Sequence, residues 1–124
     1  MFLNHQLALE EYFIDLAKLT PESDAVILYD RGYLDCFAYM SPDCRKMYLD
    51  DTKVDLEHIR DNRYDMIVHL VTAANGAADK YTTSNNKART EGIQQAINID
   101  NKIKDTWNGH PNHLYSFLTQ HHRQ

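Results

Sequence analysis

Val26-Ile27-Leu28-Tyr29-Asp30-Arg31-Gly32 is a short apolar run that ends in an acid, an arginine and a glycine. A run of this length and β-branched content predicts a buried strand over Ala25–Tyr29. Such a strand would deliver Asp30 and Arg31 to the carboxyl edge of a parallel sheet, where open α/β folds bind ligands. Acids and arginines at that edge handle magnesium and phosphate. A phosphate site of this kind normally also carries a glycine-rich loop with a lysine. The glycines here are Gly32, Gly76, Gly92 and Gly109, and a lysine directly follows none of them. The pattern is that of a nucleotide-handling domain without its phosphate cradle.

Upstream, residues 3–19 predict a helix. Phe2, Leu9, Phe13 and Leu16 lie near one stripe, Leu3, Leu7 and Ile14 widen it, and Glu10, Glu11, Asp15 and Lys18 take the other side. Thr20–Asp24 reads as a turn. Downstream, residues 33–40 predict a short helix. Ser41-Pro42-Asp43 marks a second helix start, with serine as cap and proline in the first turn. Thr52–Asp61 predicts a further short helix, and Met66–Val71 a second strand. Strands separated by helices and long connections favour parallel pairing through a crossover. Near-continuous apolar strands call for helices on both faces of the sheet.

Thr72–Lys87 is polar and irregular, and long loops of this kind often act as lids. Thr90 predicts the cap of a helix reaching about Asn108, with Ile93, Ala96, Ile97, Ile103 and Trp107 on its apolar face and Gly109 as its stop. His113–Leu118 suggests a last strand. Residues 1–118 then form one partial α/β domain, and 119–124 a frayed tail.

The chain has 124 residues and a formal net charge of -5 with acids and bases interspersed. That excludes the basic face of a non-specific nucleic-acid binder and a polybasic membrane patch, though not a single bound nucleotide. The apolar runs are too short to span a bilayer, so no transmembrane segment is expected. Met1–Gln6 lacks the charged and apolar regions of a signal peptide. Cys36 and Cys44 read as ordinary thiols of a cytoplasmic protein.

Three residues carry the candidate chemistry. Asp30 suits a magnesium ion held through water, the alternative being an acid that caps the next turn. Arg31 suits a bidentate phosphate contact, the alternative being a pair with Asp30 or Asp35. Arg89 follows the lid-like loop and suits a developing phosphoryl charge. A solvated arginine at a helix start is the more common case. His69 reads as a core histidine. Cys36 and Cys44 match no zinc spacing, and His110, His113, His121 and His122 read as surface residues.

The ordered set of motifs goes further. Gln6-Leu7-Ala8-Leu9-Glu10, Tyr29-Asp30-Arg31-Gly32-Tyr33-Leu34-Asp35, Arg60-Asp61-Asn62-Arg63-Tyr64-Asp65, His69-Leu70-Val71-Thr72-Ala73-Ala74, Asn85-Asn86-Lys87-Ala88-Arg89-Thr90-Glu91 and Trp107-Asn108-Gly109-His110-Pro111 run in order across roughly residues 6–113. Together they resemble the AAA-type P-loop ATPase/kinase-like domain shared by the nicotinamide-riboside kinase part of bacterial NadR proteins and the eukaryotic TRPL translocation-defect proteins. The second group is the closer likeness.

The resemblance implies a nucleoside-kinase-like parallel-sheet core, incomplete in this chain, with Mg2+ and ATP or GTP as cofactors. It implies Asp30 as the acid near magnesium, Arg31 on the acceptor or phosphate side, and Arg89 as the lid arginine, with Asp35 beside it toward the cofactor. It also implies that the family's phosphate-loop strand and helix precede Met1, and that this strand lies between Ala25–Tyr29 and Met66–Val71. Without it two sheet edges lose their partners. The expected function is that of a fragment whose parent binds nucleotide, with phosphate transfer left open. The alternative is a non-catalytic module binding a protein partner or phosphoinositide together with GTP, as in the trafficking-regulator branch.

Overall fold

The computed structural model describes residues 2–20, 22–74 and 87–117. Helix α1 spans Phe2–Lys18, a 3-10 helix Tyr33–Tyr39, α2 Pro42–Thr52, α3 Leu56–Asn62 and α4 Lys87–Trp107. Strands β1, Ile67–Val71, and β2, His113–Phe117, form a two-stranded parallel sheet. Its register runs from Ile67 opposite His113 to Val71 opposite Phe117. Helix α4 lies in the connection between the strands, which is the βαβ arrangement that parallel pairing requires.

Local chemistry sets the boundaries. Ser41 Oγ accepts the Cys44 N–H at 3.2 Å and Pro42 opens α2. Asp55 Oδ1 accepts the His58 N–H at 3.2 Å, so α3 begins after Asp55 and not at Thr52, which ends α2. Helix α4 starts at Lys87, leaving Thr90 inside its first turn and not at its cap. Past its end, Gly109 takes φ +107, a left-handed conformation that favours glycine.

The predicted strand Ala25–Tyr29 is not a strand. Residues 24–29 are irregular and pair with no ladder, and Val26 and Leu28 are 85% and 90% exposed. Composition gave this segment the capacity for a strand, but no described strand lies beside it, so its apolar side chains have neither a hydrogen-bonded neighbour nor cover. The parallel partner of β1 is instead β2.

The expected cover on both faces is also absent among the described residues. Ile67, His69 and Val71 alternate inward and α4 packs on the sheet, whereas Val68, Leu70 and Leu114 point outward and are about half exposed.

Helix α1 is rotated relative to the sequence reading. Leu3 and Glu10 are buried and Leu7 and Ile14 half-buried, while Leu9, Phe13 and Leu16 face outward. A buried acid sets this orientation, because Glu10 finds its partners below the helix.

The core gathers around the 3-10 helix. Leu3, Tyr33, Leu34, Phe37, Tyr64 and Trp107 form its centre, with Leu7, Ile59, Ile67 and Ile103 packed against it. Tyr64 meets the Trp107 ring edge-on at 5.3 Å and Tyr29 meets Tyr64 likewise at 5.6 Å, geometries that add to apolar burial.

Candidate functional site

The turn Asp30-Arg31-Gly32-Tyr33 is irregular, yet side chains from three parts of the fold pin its backbone. Gln6 of α1 donates its amide to the Arg31 carbonyl at 3.1 Å. The Gly32 N–H donates to Asp35 Oδ2 at 2.9 Å. The Tyr33 N–H donates to the Tyr64 hydroxyl at 2.8 Å. That hydroxyl in turn donates to Glu10 Oε1 at 2.8 Å.

Glu10, only 4% exposed, also accepts Arg63 Nε at 2.6 Å. Burial works against the Arg63 charge, but the hydrogen bond and field of Glu10 outweigh it and raise its pKa. The Tyr64 phenol is raised too, first by burial and further by Glu10. A buried charge is tolerable when paired and hydrogen-bonded, and this pair ties α1 to the end of α3 directly beneath the turn.

Asp35 holds a second tie. Its Oδ1 accepts the Trp107 indole N–H at 2.6 Å while Oδ2 takes the Gly32 amide. Both carboxylate oxygens therefore serve the protein's own donors. Gly32 sits so close to Trp107 that a Cβ there would lie 2.5 Å from the indole ring, so only glycine fits the approach.

Above this support, Asp30 and Arg31 line a groove of about 600 Å³. One wall is Ile27–Gly32, another is β1 from Ile67 to Leu70, and α4 contributes Ala96, Ile99, Asp100 and Ile103 to the lining. Thr72, just past the carboxyl end of β1, also reaches it. Asp30 and Arg31 have side chains without ion-pair partners among the described residues, so the alternative in which Arg31 pairs with Asp30 or Asp35 is not realised. No group of three or more metal-ligating side chains occurs among the described residues. A lone carboxylate matches a magnesium ion that keeps its waters and arrives with phosphate, not a protein-only cage.

His69 is a core residue, as its position on the strand suggests. It is 6% exposed on the α4 side of the sheet, with Nε2 3.1 Å from Asp100 Oδ1. The Arg89 side chain, the lid-like segment 75–86 and the tail 119–124 lie outside the described residues. The Glu10–Arg63–Tyr64 support was not legible as a site. Its members lie more than fifty residues apart, and only the Gln6–Glu10 and Arg60–Asp65 motifs hinted at it.

A small parallel sheet joined through a helical crossover fits an α/β P-loop-like fold, and the model of the AAA domain family matches residues 2–124. The chain belongs to the AAA domain family. No curated protein and no solved structure matches it significantly. Within this AAA domain Asp30 and Arg31 line the groove between residues 27–32 and β1. No helix of the described residues is long and apolar enough to cross a membrane.

Proposed function

We propose that this chain is part of a nucleotide-binding P-loop domain whose longer parent binds ATP or GTP with Mg2+. The observation that carries the reading is the pinned Asp30–Arg31 turn, its side chains without ion-pair partners, facing a groove about 600 Å³ in volume. In this reading Asp30 holds magnesium through water, Arg31 faces the phosphate or acceptor, and Arg89 closes from the lid. Asp35 acts toward the cofactor indirectly, by fixing the turn that presents Asp30. Magnesium, when bound, neutralises phosphate charge.

The inner part of the groove, between Ile27–Leu28 and β1, is where the expected further strand carrying the phosphate loop would lie, leaving the end at Asp30 and Thr72 for the nucleotide. A second reading is favoured by the exposed Val26, Leu28, Val68 and Leu70: a non-catalytic module of the trafficking-regulator type, docking a protein partner or phosphoinositide, with the chemistry lost.

Isothermal titration with magnesium and each nucleotide tests the first reading. Most of the grip on phosphate in P-loop sites comes from oriented loop amides and the loop lysine. The chain as it stands should therefore bind more weakly than about 0.1 mM, roughly -5.5 kcal/mol. Adding an in-frame upstream segment with a Gly-x-x-x-x-Gly-Lys loop should restore low-micromolar binding, which Asp30→Asn then weakens in magnesium. Low-micromolar affinity of the chain alone, or no gain from the added loop, overturns the reading.

A further inference from the structure

Three histidines lie around the joint between α4 and the sheet, and the one carboxylate of α4 at the joint, Asp100, is paired with His69 alone. His69 projects from β1 against Asp100 of α4. His113 of β2 lies 6.4 Å from the His69 ring and 4.4 Å from the Tyr115 ring, centre to centre. Its Nε2 is buried without a hydrogen-bond partner among the described residues.

His110, buried in the connection between α4 and β2, uses both ring nitrogens. Nδ1 accepts the Asn112 N–H at 2.9 Å and Nε2 donates to the Tyr64 carbonyl at 2.6 Å. That pattern requires a neutral ring, because a proton on Nδ1 would confront the Asn112 donor. The same Asn112 supplies the carbonyl that accepts the Ile67 N–H at 2.9 Å, at the start of β1.

The other charges facing the joint are Lys104 of α4, whose ammonium lies 5.0 Å from the centre of the Tyr115 ring, and Asp61, which is already paired with Arg60. Asp100 lies against His69 alone, so His113 has no carboxylate beside it, and a proton on His110 Nδ1 would displace the Asn112 N–H.

We propose that this joint between α4, β1 and β2 is a proton-operated catch, closed when the histidines are neutral and loosened by acid. The direction agrees with His113, whose pKa is lowered by burial first and by His69, His110 and Lys104 after it. A histidine depressed in the folded state binds fewer protons there than when unfolded. Stability is therefore highest above the ordinary range near pH 6.5 and falls as pH drops through it. Since β1 forms a wall of the groove opposite Asp30, loosening the catch would open the groove on that side.

The test is hydrogen exchange of the whole chain at about pH 7.5 and about pH 5.5, corrected for intrinsic exchange rates. Amides of β1, β2 and the second half of α4 should lose about tenfold protection in acid. Those of α1 and α2 should hold. His113→Asn and His110→Gln should each remove part of the acid response, and the two together most of it, while the fold is kept at pH 7.5. Equal protection at both pH values overturns the proposal. So does a loss spread evenly over α1 and α2, or an acid response that survives both substitutions.

Discussion

Replacing Asp35 with alanine should show how firmly the Asp30–Arg31 turn is held. The substitution removes the acceptor of two bonds at once, from the Gly32 amide at 2.9 Å and the Trp107 indole at 2.6 Å. Hydrogen bonds to a charged group contribute about 1.5–3 kcal/mol each. The two losses differ in kind. The Gly32 amide lies in a turn that water can reach, so part of its bond is recovered. Trp107 is 3% exposed, so its N–H stays unpaired in the core. Together these suggest a cost of about 3 kcal/mol, on the order of 10 °C in Tm for a chain of this size. Trp107 is the single tryptophan, so urea unfolding followed by its fluorescence reads the effect at the site itself. A double-mutant cycle with Trp107→Phe, followed by far-UV circular dichroism, isolates the pair and should give a coupling of about 1–2 kcal/mol. A cost below about 0.5 kcal/mol for Asp35→Ala, or a coupling near zero, would refute the reasoning.

Two further substitutions test other parts of the fold. Glu10→Gln strands the Arg63 guanidinium and should cost about 3 kcal/mol in urea unfolding, at the low end for a broken buried pair because Glu11 stands 3.2 Å from Arg63 Nη1; a cost under about 1 kcal/mol would show that the pair contributes little. Leu28→Ser, at a position 90% exposed, should change the stability of this chain by less than about 0.5 kcal/mol. In a longer protein with a strand beside it the same change should cost about 2 kcal/mol, and equal effects in both would remove the argument for a covering strand.

What was legible in the sequence was whatever short-range pattern determines. The 3.6-residue spacing of Ile93, Ala96, Ile103 and Trp107 located α4 and its inner face, the Ser41-Pro42 pair located α2, and both strands of the sheet stand within the short segments Met66–Val71 and His113–Leu118 read as strands. Failures came where a distant partner decides. Ala25–Tyr29 has the composition of a strand, but a strand exists only with a neighbour to bond. The inner face of α1 was misplaced because apolar counting cannot show that an acid is buried; Arg63 and Tyr64, more than fifty residues away, turn Glu10 inward. For the site, Asp30 and Arg31 were legible as neighbours at one edge, but they sit in an irregular turn and not at the end of a strand. The role of Asp35 as a brace depends on an indole 72 residues away.

That last separation has a consequence for how the chain acquires its shape during synthesis. Tyr33, Leu34 and Phe37 leave the ribosome long before Trp107, the residue that seals them. At roughly 5–20 residues per second, a gap of 72 residues is a wait of about 4–14 s. Throughout that interval Leu3, Tyr48 and Tyr64 are the cover available to this cluster. A chain released before Trp107 emerges lacks the indole that completes it.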